Sequence, residues 1–279
     1  MNRLFRLRKF VQAAVLLLLA ALPWLNRSGF TGMKGSLFAF DFFGLPFADP
    51  LGAAQVFLSG VVPGWRLVVG ALLALTLALF LGRIFCSWLC PFGLLSELIH
   101  KLHRNDGRKP GGFRSRAAVA AVGLALAPLL GIPLLNQLSL PGAVSLGLIT
   151  AAAPLSDKTV HALPQQAVFF ALPFLPVLAV LIVEAVTGKR LWCRRVCPQS
   201  VLLSLMARLP FAPRLQRRLD RCACKPGAQA CRAACPLGLD PRNPRSASPL
   251  ECTNCGACVL ACSRVHGGDP AALKIGRGK

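Results

Sequence analysis

Cys252-Thr253-Asn254-Cys255-Gly256-Ala257-Cys258-Val259-Leu260-Ala261-Cys262 sets four cysteines at the spacing C-x2-C-x2-C-x3-C. In that pattern three close thiolates take three corners of an iron-sulfur cubane and the fourth reaches a second cluster. Upstream, Cys222-Ala223-Cys224, Cys231 and Cys235-Pro236 give C-x-C-x6-C-x3-C-P, whose closing half fits the same plan although its opening does not. Crossing the fourth ligands pairs Cys252, Cys255 and Cys258 with Cys235, and Cys222, Cys224 and Cys231 with Cys262. The stretch from Arg221 to Arg264 therefore reads as a small domain holding two [4Fe-4S] clusters, of the ferredoxin kind.

Disulfides and zinc are the competing readings. Disulfides require an oxidising compartment, whereas the topology derived below puts this segment in the cytoplasm. Zinc wants two pairs of ligands, often with His, and a Cys triplet at positions one, four and seven suits a cube better. Ser263 stands where such motifs usually carry Pro after the last Cys.

The rest of the chain is of another kind. Its 279 residues are 54% hydrophobic and only 15% charged, with a mean hydropathy of +0.58, which an ordinary soluble domain does not reach. Lys and Arg outnumber Asp and Glu by 32 to 10, a net charge of +22. So basic a chain raises the question of nucleic acid. The charge lies beside apolar spans, not on a basic helix or an aromatic platform, so no nucleic-acid partner is expected and the positive-inside rule accounts for it.

Four lipid-crossing spans are expected. Arg3, Arg6, Arg8 and Lys9 precede an apolar run from Phe10 to Leu25, with Trp24 as an interfacial anchor; an uncleaved first span is preferred to a cleaved signal peptide. Phe30 to Gly64 is apolar but broken by Asp41, Pro46, Asp49, Pro50 and Pro63, so it is expected on, or dipping into, the outer face. Trp65 to Phe85 is the second span, with Arg66 and Arg83 snorkelling at its ends. A basic loop from His100 to Arg116 precedes the third, Ala117 to Leu135. Ser139 to Leu155 is read as an outer-face loop or re-entrant segment, because another crossing would put the basic Lys189 to Arg195 tract outside. Val168 to Thr187 is the fourth. Both termini then face the cytoplasm of a bacterial inner membrane. The expected architecture is an all-α integral membrane domain over residues 1–209, built of two repeated hairpins, followed by the double-cluster domain over 210–279.

The ends of spans two and four match. Gly82-Arg83-Ile84-Phe85-Cys86-Ser87-Trp88-Leu89-Cys90-Pro91 corresponds to Gly188-Lys189-Arg190-Leu191-Trp192-Cys193-Arg194-Arg195-Val196-Cys197-Pro198, and each is followed by an apolar helical stretch. Two hairpins delivering a C-x3-C-P to one membrane face imply a pseudo-twofold axis on which four thiols converge, with each pair expected on one helical face. Three readings stay open for Cys86, Cys90, Cys193 and Cys197: buried structural thiols, a redox-active dithiol pair with its pKa lowered by Arg194 and Arg195, and ligands of a third cluster or metal. Glu184, a turn before the end of span four, either snorkels to Lys189 or Arg190 or takes protons in the reaction. Phe85, Trp88, Trp192 and Glu97 are candidates to line the same boundary pocket.

In this order, the basic leader, the outer segment around Phe38 to Ser59, F-C-S-W-L-C-P, W-C-x3-C-P and the C-terminal double motif resemble the NapH/MauN family of membrane ferredoxin-type proteins, over nearly the whole chain. The resemblance implies cluster ligation for the eight C-terminal cysteines and a redox role for the two C-x3-C-P pairs. It also implies, for a NapH-like chain, oxidation of quinol from the quinone pool and delivery of electrons through a partner iron-sulfur or cytochrome subunit to a periplasmic nitrate reductase. For a MauN-like chain it implies a part in forming methylamine dehydrogenase. The Cys222-Ala223-Cys224 opening departs from the C-x2-C of NapH-like sequences. No C-x-x-C-H and no G-x-G-x-x-G is present, so neither covalent haem nor a nicotinamide site is expected.

Overall fold

The computed structural model describes residues 2–30, 32–100, 112–131, 134–137, 139–145, 147–148, 174–188, 190–222, 224, 229–265 and 272–277. Helix α1 (Asn2–Arg27) and helix α6 (Phe113–Leu130) contain stretches long and apolar enough to cross a membrane. Helix α3 (Trp65–Leu81) and the described part of the fourth expected span, α8 (Phe174–Thr187), are apolar but shorter. The beginning of that fourth span, and residues 146 and 149–155, lie outside the described residues.

The fold is mostly helical, but not all-α. Met33–Gly35, Ala39–Phe42 and Leu45–Ala48 (β1, β2 and β3) form an antiparallel meander, and Pro213–Arg217 (β4) pairs antiparallel with Leu273–Arg277 (β5). Strands of three to five residues are too short to display an alternating pattern, which is why the sequence conceals them. The β2–β3 hairpin turns through Phe43 and Gly44, both at positive φ (50° and 86°), as a two-residue turn of the primed type demands.

Asp49 and Pro50 then start helix α2 (Pro50–Leu58). The Asp49 carboxylate accepts the Leu51 amide at 3.0 Å, and Pro at the first position has no amide to leave unpaired. This segment dips inward. Gln55 Nε2 donates to the Gly123 carbonyl at 3.4 Å and the Ser59 hydroxyl to that of Ala127 at 3.3 Å, so α2 packs on α6. Along α3, Gly70 lets the β3 backbone approach, since a Cβ there would lie 3.0 Å from the Ala48 nitrogen. The described part of Ser139–Leu155 is no exposed loop. Residues 140–145 are helical, and Leu140, Ala143 and Val144 are buried against Cys90, Phe92 and Trp192.

The repeat read from the sequence is present in three dimensions. Gly82 and Gly188 both adopt positive φ (57° and 61°) and end α3 and α8. A short segment follows each, helix α4 (Ile84–Trp88) in the first and a π-helical turn, Trp192–Val196, in the second. Both motifs close with the same wide turn: the Cys90 amide donates to the Phe85 carbonyl at 3.0 Å and the Cys197 amide to the Trp192 carbonyl at 2.9 Å. Pro91 and Pro198 then lead into α5 (Pro91–His100) and α9 (Gln199–Met206). The two cysteines of each motif are thus not on one face of a continuous α-helix, because a five-residue turn separates them.

The C-terminal part has its own core of Leu215, Leu237, Leu239, Ala247 and Leu273, packed around Cys231, Cys258 and Cys262. Arg217 staples it: Nε donates to the Pro241 carbonyl at 2.7 Å and one terminal nitrogen to that of Ala247 at 2.6 Å.

Candidate metal centres

The four C-x3-C-P thiols meet. Cys86, Cys90, Cys193 and Cys197 line a single cavity, whose wall also carries Phe85, Phe92, Trp192 and, from the C-terminal part, Thr253 and Cys255. Glu97 lines it as well; Trp88, the other candidate for this wall, does not. A second, smaller cavity is lined by Cys235, Cys252, Cys255 and Cys258. The remaining four thiols form a third group, with Cys231 in electrostatic reach of Cys262 and Cys224, and Cys262 in reach of Cys222 and Cys224.

Burial dominates the thiols' chemistry. It pushes Cys197 up to about 11 and Cys235 up to about 12, and it raises Cys90 and Cys193 as well. The lowering expected from Arg194 and Arg195 does not arise: the cation that acts on Cys193 is Arg190, and desolvation outweighs it. A thiol held protonated near neutral pH is a poor nucleophile for dithiol exchange, whereas metal binding takes the proton away. Among the described residues, no three His, Cys, Asp or Glu side chains lie close enough to share one metal ion. A cubane spreads its thiolates over separate iron corners, so the wider spacing suits a cluster better than a tetrahedral zinc site.

Buried cations surround the first cavity. Arg8 and Arg83 line it at 2% exposure each, and Arg116, fully buried, lies with Arg83 in electrostatic reach of Cys197. Among the described residues, two carboxylates pair with Arg8 and Arg116. Glu97 accepts from Arg8 at 2.6 Å and Lys9 at 2.8 Å, and Glu251 pairs with Arg116 at 3.2 Å. The Nε atoms of Arg83 and Arg116 and the indole nitrogen of Trp192 are buried and have no hydrogen-bond partner among the described residues. Surplus buried positive charge and unused donors fit an anionic occupant, as a thiolate-held cubane is.

The sequence assigned several of these residues otherwise. Arg83 does not snorkel; it donates to the Leu250 carbonyl at 2.7 Å, which also accepts from Arg116 at 3.1 Å and from the Ser204 hydroxyl at 3.0 Å. Arg8 and Arg116 count toward the basic leader and loop in the sequence, yet both side chains are buried. Glu184 turns inward. It accepts the Ser96 hydroxyl at 2.5 Å and the Trp192 amide at 3.0 Å, which excludes snorkelling. Asp49 is a residue that sequence reading missed. It is hydrogen-bonded to the side chain of Gln199, which lines the four-thiol cavity. The only available signal was its position immediately before Pro50, and that signal speaks of a helix cap.

Cysteine spacing and the comparisons with known proteins point to a ferredoxin-type iron-sulfur protein of the electron-transfer class. The family described as "4Fe-4S binding domain" matches the chain twice, at residues 63–110 and 169–219, the two halves of the repeat with their C-x3-C-P motifs. Ferredoxin-type protein NapH of Escherichia coli is 25% identical over 94% of this chain and 87% of its own length. The methylamine utilization ferredoxin-type protein MauN of Methylorubrum extorquens is 26% identical over 83% of this chain and 66% of its own, and protein NirI of Paracoccus denitrificans is 30% identical over 65% of this chain and a quarter of its own. No solved structure matches significantly. Over most of its length the chain is similar to the NapH and MauN ferredoxin-type proteins.

Proposed function

We propose that this protein is a four-span inner-membrane electron carrier that oxidises quinol and passes the electrons, through a partner iron-sulfur or cytochrome subunit, towards a periplasmic reductase system. Cys252, Cys255, Cys258 and Cys235 would hold one [4Fe-4S] cluster, and Cys222, Cys224, Cys231 and Cys262 a second. Cys86, Cys90, Cys193 and Cys197 would hold a third, at the cytoplasmic boundary. When bound, each supplies one-electron chemistry at a potential set by its surroundings.

The observation that carries this reading is the meeting of all four repeat thiols with Cys255 on one cavity wall. Such an arrangement brings a site bordered by apolar helices next to the thiols of the C-terminal part. Arg8, Arg83 and Arg116 favour the more negative, reduced form of whatever the thiols hold. Glu184, held by Ser96 and by the amide next to Cys193, is positioned to take a proton released as quinol is oxidised. Domain limits at 1–209 and 210–279, with both termini cytoplasmic, accompany this reading.

The test is anaerobic purification of the full chain in detergent, with iron and sulfide analysis and electron paramagnetic resonance before and after addition of menaquinol. About twelve iron per chain, falling to about eight in Cys86→Ala or Cys193→Ala, is the expected result. Iron unchanged by both substitutions, together with full reduction by quinol, overturns the third site. A second reading, favoured by the likeness to MauN, is a maturation factor that supplies electrons or metal to a periplasmic enzyme. Clusters reduced by dithionite but never by quinol would support it.

A further inference from the structure

The two cavities are not separate. Thr253, Cys255, Pro236 and Leu237 line both, so a single sheet of side chains and backbone divides the four-thiol cavity from that of Cys235, Cys252, Cys255 and Cys258. Across this wall runs one hydrogen bond. Ser87, the residue after Cys86 inside the first C-x3-C-P, donates from Oγ to the carbonyl of Thr253 at 2.8 Å. Thr253 is itself bonded to Cys252. On the far side, Cys258 packs in one buried cluster with Cys231 and Cys262, members of the third group, whereas none of Cys222, Cys224, Cys231 and Cys262 lines the four-thiol cavity.

We infer that the three thiol groups are arranged in series, with the repeat quartet at one end, the Cys222 group at the other and the Cys235 group between them, and that Ser87 is the positioning residue that closes the first gap. This rests on the cluster reading above and adds to it an order and a bridge.

The chemistry is simple. If the thiols hold clusters, a hydroquinone giving up one electron at the quartet, with its proton passing to Glu184, would leave the middle group reduced by one. No bond is made or broken at Ser87, whose proton stays on Oγ. From Cys86 to Cys252 the path is covalent except for the Ser87–Thr253 hydrogen bond, and a route of bonds couples donor and acceptor better than a jump through space. Ser87 is buried and its hydroxyl also faces the Ile84 carbonyl, at 3.2 Å. The bridge is therefore held in place by the turn that carries Cys86. Gln12 Nε2 donates to the Ser87 carbonyl at 2.8 Å and fixes the same turn from helix α1.

The order can be read without any quinol. In the dithionite-reduced full-length protein, paramagnetic resonance should show spin coupling between the middle group and each end group. Cys258→Ala, with its loss of about four iron, should leave the two end groups magnetically isolated from each other. Strong coupling between the end groups in that variant overturns the series.

The bridge is tested kinetically. Ser87→Ala should keep wild-type iron content and dithionite-reduced spectra, yet slow the freeze-quenched appearance of reduced C-terminal signals after mixing with menaquinol several-fold, and Ser87→Thr should restore the rate. An unchanged rate in Ser87→Ala overturns the role of Ser87. Absence of iron at the quartet, or wild-type protein that menaquinol does not reduce, would instead count against the proposed function, so the two failures are distinguishable.

Discussion

Arg116, in the first turn of helix α6, and Glu251, immediately before Cys252, form an ion pair at 3.2 Å with both side chains buried. One Glu251 oxygen also accepts the amides of Gly112 at 3.2 Å and Phe113 at 2.9 Å, at the N-terminus of the same helix, where a carboxylate is favoured. Together with the three donors on the Leu250 carbonyl, this pair fixes the position of the cluster loop on the helical part. Removing one partner of a buried pair leaves an uncompensated charge, at a cost of about 3–5 kcal/mol. Glu251→Ala is therefore expected to release the C-terminal part, read as faster protease cleavage between Leu209 and Pro213. Replacing both partners with apolar residues should restore much of the resistance.

Glu97 predicts a pH dependence with a definite sign. Burial pulls its carboxyl upward, but Arg8, Lys9 and Arg190 together outweigh burial and hold it below the ordinary value of 4.5. A depressed carboxylate contributes stability that is present above the unfolded-state value and lost as pH falls through the folded one. The gap in melting temperature between wild type and Glu97→Gln should then be constant from neutrality down to about pH 4.5 and close below it. A gap that widens on acidification would contradict the assignment of Arg8 and Lys9 as its partners.

The thiol sites were legible in the sequence because ligand spacing is local. The grouping of Cys235 with Cys252, Cys255 and Cys258 follows from counting residues, and so does the matching of Cys86-x3-Cys90 to Cys193-x3-Cys197. What surrounds them was not, because burial is a tertiary property. Arg8, Arg83 and Arg116 look like the flanks of apolar spans, and only the folded chain reveals that they turn inward to Glu97, Leu250 and Glu251. The pairing of β4 and the inward course of Asp49 were hidden for a related reason: both depend on partners far away in the chain, Leu273–Arg277 for β4 and Gln199 for Asp49.

Gly93 illustrates how tightly the quartet is packed. Its amide donates to the Cys90 sulfur at 3.3 Å, and a Cβ at this position would lie 2.8 Å from the Cys86 carbonyl oxygen, a backbone atom that cannot step aside. Gly93→Ala must therefore push the first C-x3-C-P turn away from the start of helix α5, with an overpacking cost of about 1–3 kcal/mol. The expected outcome is a lower melting temperature together with altered resonance signals from the quartet and unaltered ones from the two C-terminal groups. Uniform changes in all signals would point to global unfolding rather than to this contact.

Asp49 serves two structures at once, and its substitutions separate them. The carboxylate caps helix α2 through the Leu51 amide and also bonds Gln199, the residue after Pro198 in the second C-x3-C-P. Truncating a helix cap costs about 0.5–2 kcal/mol, so Asp49→Ala should lower stability by that amount and also free Gln199. Asn retains the capping oxygen and places an amide NH2 opposite Gln199, which can accept from it by turning its own side-chain oxygen inward, and Asp49→Asn should therefore stay close to wild type in stability. Gln199→Leu leaves the cap intact but buries an apolar group against Asp49. If the contact with Gln199 matters to the quartet, Asp49→Ala and Gln199→Leu should shift its resonance signals alike, while only Asp49→Ala weakens α2, measured as faster amide exchange across Pro50–Leu58.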